Sequence, residues 1–443
     1  MKEQDGRQAP ANARLHWTGT RGAAAFAAWR SPAEGLAGVR MRVNNKIVVA
    51  VCVLGAACAS EIAPASETID GSSDAGESAV DVAMTTGADS DAGGADGSTR
   101  VPAEWEPQAA VWLQWPRSYE STYEEGLAKV VATTIRYEDM HILTHDMATR
   151  NAARTALETQ GGLSTAVADG APTPEGFRTV WHMVPNDNAW MRDNGPRYVI
   201  QDGVLRIQNW EFNAWGGAFG KLVTYTDDNS VPDWVGQYLG LPVDPVPIVH
   251  ERGDLEFNGH DGVILNWTVI GDPNRNPGIT EAQVVEAMQQ HFGVSRVVLI
   301  DGAPTGDLTG GHVDGIARFI DADRVVVADC STESACQPGD VDDQIFDGAA
   351  AEIEAAGFTV IRWPFEGKVT FQGQVFDTDY LNWMVGNGFV ITVGFGHLAA
   401  DANAKAQLES WFPGRDVYVI EMLESWNAGG GVHCHTNDQP LAP

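Results

Sequence analysis

From residue 101 onward, short apolar runs alternate with longer stretches whose apolar residues recur every three or four positions. Residues 110–115 (AVWLQW) read as a strand and 123–136 as a helix. Residues 140–144 and 179–184 are again short and β-rich, and 198–212 fold back about Asp202-Gly203 as a hairpin. Thr280-Glu281-Ala282-Gln283 is a capping box, in which Thr and Gln side chains bond each other's backbone N–H. It opens a helix that stops before Gly293, and 296–300 follow as a strand. Residues 316–320 and 324–328 turn about 321–323. A helix over 345–356 leads to a strand over 359–363. The stretch 381–392, a helix near 400–412 and a strand over 417–420 repeat that order. Helices between strands, with hairpins, place the chain in the α/β class. No internal sequence repeat is visible, so the number of units does not follow from the pattern.

The first hundred residues are different. Residues 41–60 open on Met41, Arg42 and Lys46, continue with a short apolar run, and end in small residues. That is the layout of a secretory signal, too short for a comfortable membrane-spanning helix. Residues 1–40 lack it and read as an upstream extension, with Met41 as the start. Leu54-Gly55-Ala56-Ala57-Cys58 resembles a bacterial lipoprotein box with leucine one place too far from the cysteine. Cys58 is then lipidated, or the signal is cleaved after Ala59; both readings stay open. Either way the protein is expected to be exported, as a periplasmic, cell-surface or secreted species. Residues 61–99 are dominated by Ala, Gly, Ser, Thr, Asp and Glu, with no Lys or Arg. They cannot bury enough apolar surface to offset chain entropy, and read as a disordered acidic tether.

Of 443 residues, 44% are hydrophobic, enough for a large core. The formal net charge of −32 would repel nucleic acid phosphates, so no nucleic-acid partner is expected. It suits a cationic ligand, although acidic surfaces commonly serve solubility alone. Trp112, Trp115, Trp190 and Trp215 stand among polar residues, which suggests an aromatic-lined pocket.

Cysteine usage fits export. Cys330 and Cys336 flank a short polar loop and could form a disulfide in an oxidising compartment. Cys434 is left over, in Gly429-Gly430-Gly431-Val432-His433-Cys434-His435. Glycines allow close backbone approach, and a thiol between imidazoles has the makings of a nucleophile. Three more polar clusters lie in loops or at strand ends: residues 186–196, Glu251-Arg252-Gly253-Asp254, and Gly310-Gly311-His312-Val313-Asp314-Gly315. If the last is a strand, His312 and Asp314 share one face. No second histidine pair has ligand spacing, so no metal site is expected. One chemistry uses the whole set. Two carboxylates clamp a planar guanidinium, a thiolate attacks its central carbon, a histidine protonates departing ammonia, and a third carboxylate holds that histidine.

At these residues the chain resembles the agmatine deiminase family, which includes bacterial-type peptidylarginine deiminases. The matching runs are residues 102–107 with 112–116, Asn186-Asp187 with 190–196, 212–217, 274–277, 311–314, 380–382 and 429–436. The resemblance implies the pentein fold, a five-bladed α/β propeller of ββαβ-like modules, over a catalytic domain at 100–443. It also implies a cofactor-free thiol mechanism through a covalent thiouronium. By that resemblance Cys434 is the nucleophile, His312 the general acid and base, and Glu251 its partner. Asp193 and Asp314 clamp the guanidinium, and Trp190 and Asn382 are assigned to substrate binding. Departures from the family's usual residues include Arg252 in place of a glycine, the Asn437-Asp438-Gln439 run, and Asp379 where serine is common. The expected reaction is agmatine to N-carbamoylputrescine plus ammonia. Deimination of peptide arginine and an inactive guanidine-binding role are the alternatives.

Overall fold

Five times along the chain, two antiparallel strands are followed by a helix and a third strand that runs parallel to the second. The computed structural model describes residues 99–443. The upstream extension, the signal with Cys58, and the tether up to residue 98 lie outside the described residues. Thr99, placed in the tether, is already part of the fold: Thr99–Arg100 pairs with Arg197–Gln201.

The first module pairs Arg197–Gln201 with Val204–Glu211, then adds helix Val231–Leu239 and strand Val243–Val249. The second uses Glu256–Phe257, Gly262–Asn266, helix Glu281–Phe292 and Arg296–Ile300. The third uses Ala317–Phe319, Arg324–Asp329, helix Val341–Ala355 and Thr359–Pro364. The fourth uses Met384–Gly386, Phe389–Gly394, helix Leu398–Trp411 and Asp416–Glu421. The fifth joins the two ends of the domain. Thr436–Pro440 pairs antiparallel with Gln108–Gln114, helix Glu124–Thr134 follows, and Met140–Thr144 runs parallel, with Thr179–Met183 beyond it.

The second strand of each module lies between the other two. Gly262–Asn266 and Phe389–Gly394 are buried at every position, which is why they read as unbroken apolar runs. The helices cover one face. Val284, Ala287, Met288 and Phe292 recur at three- and four-residue spacing and point inward. Both halves of the Thr280–Gln283 capping box are formed, and Gly293 ends that helix at φ 70°.

Among the elements missing from the sequence reading, which include Gly262–Asn266 and the hairpin of Lys368–Phe371 with Gln374–Asp377, three are instructive. Val243–Val249 contains Pro245 and Pro247, which hide it. It is an edge strand, where missing N–H groups cost little. Helix Met147–Thr159 starts at Asp146, whose carboxylate accepts from Thr149 N at 2.8 Å. Helix Val231–Leu239 carries its proline in the first turn, where no hydrogen bond is lost. Cys330 and Cys336 are joined by a disulfide. No helix among the described residues is long and apolar enough to cross a membrane.

Candidate active site

The segment entering the first strand of every module supplies one part of the site. Asp193 lies four residues before Arg197, and Glu251 five before Glu256. His312 and Asp314 lie five and three before Ala317, Asn382 two before Met384, and Cys434 two before Thr436. Equivalent loops of repeated modules thus converge, and sequence-distant side chains meet.

Residues 310–315 are not a strand. Val313–Gly315 form a single 3-10 turn entered from His312. His312 and Asp314 therefore reach different partners. His312 Nδ1 lies 3.5 Å from Asp193 Oδ1, and its Nε2 lies 3.6 Å from Glu251 Oε2. Neither ring nitrogen makes a hydrogen bond. Burial disfavours charge on this ring, but Asp193, Glu251 and Asp314 outweigh it and lift its pKa to about 10. His312 is an imidazolium at neutral pH.

Asp193 sits in the short helix Met191–Asn194. Its Oδ2 accepts a hydrogen bond from Trp215 Nε1 at 2.8 Å, and Oδ1 is left without a partner. Burial raises its pKa to about 6, against the pull of His312. Glu251 is held from the other side: Arg275 Nε stands 3.0 Å from both its oxygens. Burial would raise Glu251, but Arg275 and His312 overcome it and bring it to about 2. Arg275 was not singled out from the sequence. Its run, 274–277, matched the family, but nothing local ties it to Glu251 twenty-four positions away.

Cys434 is buried in the short helix Val432–His435. Asn382 Nδ2 donates to its sulfur at 3.1 Å, and the thiol lies 3.5 Å from Asp314 Oδ2. The same Asn382 accepts from Gly431 N and His433 N, both at 3.1 Å, so it fixes the turn that carries the cysteine. A Cβ on Gly430 would stand 2.6 Å from Cys434 Sγ and 2.9 Å from Trp190 Cζ3. The glycines are needed for that close approach.

The flanking imidazoles do not touch the thiol, contrary to the sequence reading. His433 Nδ1 donates to Asp314 Oδ2 at 2.8 Å. Burial pushes Asp314 up, but this bond and nearby cations hold it below the usual carboxylate range. His435 bonds Ser425 Oγ at 2.6 Å and stacks on Trp190 with centroids 4.3 Å apart. The thiol itself is pushed well above its ordinary pKa, by burial first and then by Asp314 and Asp193. In the unliganded protein it is neutral. A cation bound between those two carboxylates would cancel the field that opposes ionisation.

Of the four tryptophans, Trp190 and Trp215 line an aromatic recess with Tyr119, Tyr123 and Phe219. Trp112 and Trp115 do not; they are fully buried core residues. A separate cavity of about 570 Å³ reaches Cys434, His312, Asp314 and Asn382. Five further aspartates and no lysine or arginine line it. One acidic cluster among the described residues has ligand-like spacing, Asp329, Asp343 and Asp347. Arg362 already bonds two of these carboxylates, each at 2.7 Å.

Residues 100–440 match the Porphyromonas-type peptidyl-arginine deiminase family. The chain belongs to that family. Agmatine deiminase of Pseudomonas putida is 29% identical over 378 residues, covering 77% of this chain and 95% of that protein. The Pseudomonas fluorescens agmatine deiminase is 27% identical over 367 residues, with the same coverage. Among solved structures, the agmatine deiminase of Enterococcus faecalis superposes with a TM-score of 0.65 at 22% identity, over 78% of this chain and 97% of that one. A substrate-bound C. jejuni agmatine deiminase, with a cysteine replaced by serine, gives 0.66 at 17% identity, over the same shares. At these identities the likeness speaks for the fold: the chain has the α/β pentein architecture. Family membership makes it a hydrolase that acts on amidine C–N bonds.

Proposed function

We propose that this protein deiminates a small guanidine carrying a second positive charge, agmatine being the type, to the ureido product and ammonia. One observation carries the reading: Cys434, His312 and Asp314 open into a cavity lined by five further aspartates and by no lysine or arginine. Nothing there would hold the carboxylate of free arginine. The agmatine deiminases among the relatives support the same substrate class.

The guanidinium fits between Asp193 Oδ1, which has no partner, and Asp314. Its charge lowers the cost of ionising Cys434, whose proton passes to solvent and whose sulfur attacks the central carbon. Imidazolium His312 gives its proton to one nitrogen, and the C–N bond breaks to release ammonia. The substrate is then an S-linked thiouronium. Neutral His312 takes a proton from water, which adds to the same carbon. Collapse breaks the C–S bond, the hydroxyl proton of the adduct passes to the leaving sulfur, and His312 is again the imidazolium. Glu251, braced by Arg275, favours the charged form of His312.

Release of ammonia from agmatine, free arginine and arginyl peptides tests the reading. Turnover of agmatine alone is expected. Preference for arginyl peptides would favour the reading that the family's name suggests, and no turnover on any would sink both.

We further infer that the protein is exported through residues 41–60, anchored by Cys58 or cleaved beside it. The sequence of that segment and the Cys330–Cys336 disulfide support this. An intact mass of the mature protein starting at Met1 would refute it.

A further inference from the structure

Beyond the atoms that hold the guanidinium, the cavity wall contains a carboxylate whose function is unassigned. Asp379 is nine-tenths buried and lines the same cavity as Cys434, His312 and Asp314. Its Oδ1 accepts from Leu381 N at 2.9 Å, which fixes the side chain beside the Asn382 turn. Its Oδ2 receives no hydrogen bond and no ion pair from the described residues. A Cβ added to Gly315 would lie 3.8 Å from that oxygen, so Oδ2 stands next to the Asp314 turn.

The other acids at the mouth are occupied differently. Asp307 accepts from Thr309 N and Thr309 Oγ1 at 2.6 Å each. Asp342 accepts from Thr305 N at 2.9 Å, and Asp377 Oδ2 from Cys336 N at 3.1 Å. These carboxylates cap turns of the rim and keep it in shape. Asp307 and Asp342 also leave one oxygen without a partner, but both are partly exposed; Asp379 is the buried one with an oxygen to spare. Burial, and then the fields of Asp377, Asp314 and Asp307, push its pKa up to about 7. A buried carboxylate with no counter-charge is costly, and a ligand cation would relieve that cost.

Resting on the deiminase reading above, we propose that Asp379 is a specificity residue: its free oxygen binds the second positive charge of the substrate, a protonated alkylamine, while Asp193 and Asp314 hold the guanidinium. The pair of sites then measures a guanidino-alkylamine by both ends. A guanidine with a neutral tail fills one site, and one with a carboxylate tail is repelled by the other.

The test compares Asp379→Asn with wild type on agmatine and on n-butylguanidine, which has the same chain without the terminal amine. Asn keeps the Oδ1 bond to Leu381 N and removes only the charge. The expected result is that kcat/KM for agmatine falls about ten- to a hundredfold more than for butylguanidine, the size of one charge-assisted contact. Equal effects on both guanidines, or no effect on either, would overturn the proposal. If the wild-type protein releases ammonia from neither compound, the deiminase reading has failed, and calorimetry with 1,4-diaminobutane judges the subsite alone. Binding by wild type that Asp379→Asn weakens at least tenfold supports it. No binding, or equal binding by both proteins, overturns it.

Discussion

Arg252 and Asp438, 186 positions apart, meet in the interior with Nη2 and Oδ1 at 2.7 Å. The two residues form one largely buried ion pair. Arg192 Nη1 reaches the same Asp438 oxygen at 2.9 Å, and Arg192 Nε holds the carbonyl of His433, next to Cys434. The buried Arg252 guanidinium is therefore balanced by a carboxylate from a distant part of the chain.

Removing only the carboxylate leaves two buried guanidinium groups facing each other. Asp438→Asn should lower unfolding free energy by about 3 kcal/mol or more. Arg252→Met combined with Asp438→Asn should cost less than the two single changes added together, by at least about 1 kcal/mol. Denaturant unfolding of the four proteins measures this. Strict additivity would mean that the pair contributes nothing as a pair.

Gly253 is set by the site and not by its own backbone. A Cβ there would lie 2.6 Å from Asp193 Oδ1 and 2.7 Å from His312 Nδ1. Gly253→Ala should displace the imidazole or the carboxylate by several tenths of an ångström and reduce kcat by about a hundredfold. The thermal midpoint should change little, because Asp193 and His312 belong to none of the apolar core clusters. Steady-state kinetics and a melting curve separate this from simple unfolding, in which activity per folded molecule is retained.

His312 gives a signed pH prediction. Its pKa is raised from 6.5 to about 10 on folding. The stabilising contribution is thus complete below about 6.5 and is lost as pH rises through about 10. Glu251→Gln removes one of the charges that hold the proton. The alkaline fall of kcat/KM should then move to lower pH, and alkaline unfolding should become less dependent on His312. An unmoved alkaline limb would show that Glu251 does not set the state of His312.

Much of the fold can be read along the chain, but not the count of modules. The hairpin at Asp202-Gly203 and the Thr280–Gln283 box are local, and both form as read. The fivefold repetition lies in strand pairing, and different residues satisfy it each time. Gly262–Asn266 and Phe389–Gly394 occupy equivalent places yet share only the pair Val-Ile. Site residues are legible as chemistry because Asp193, Glu251, His312, Asp314 and Cys434 sit in dense polar clusters. Their geometry is not. His312 and Asp314 turn to different partners because the backbone tightens into a 3-10 turn. Trp112 stands among polar neighbours in sequence yet packs in the core against His141, ring centroids 4.0 Å apart. Arg275 and Gly253 act through contacts that only folding creates.

The most direct test of the account is the species formed on Cys434. The purified protein is mixed with agmatine, quenched in acid within a fraction of the turnover time, and digested for mass spectrometry. The account predicts release of ammonia together with a transient amidine adduct on the peptide containing Cys434, and neither in Cys434→Ser. Ammonia release by the serine variant at a rate near wild type, or an adduct on another residue, would contradict it.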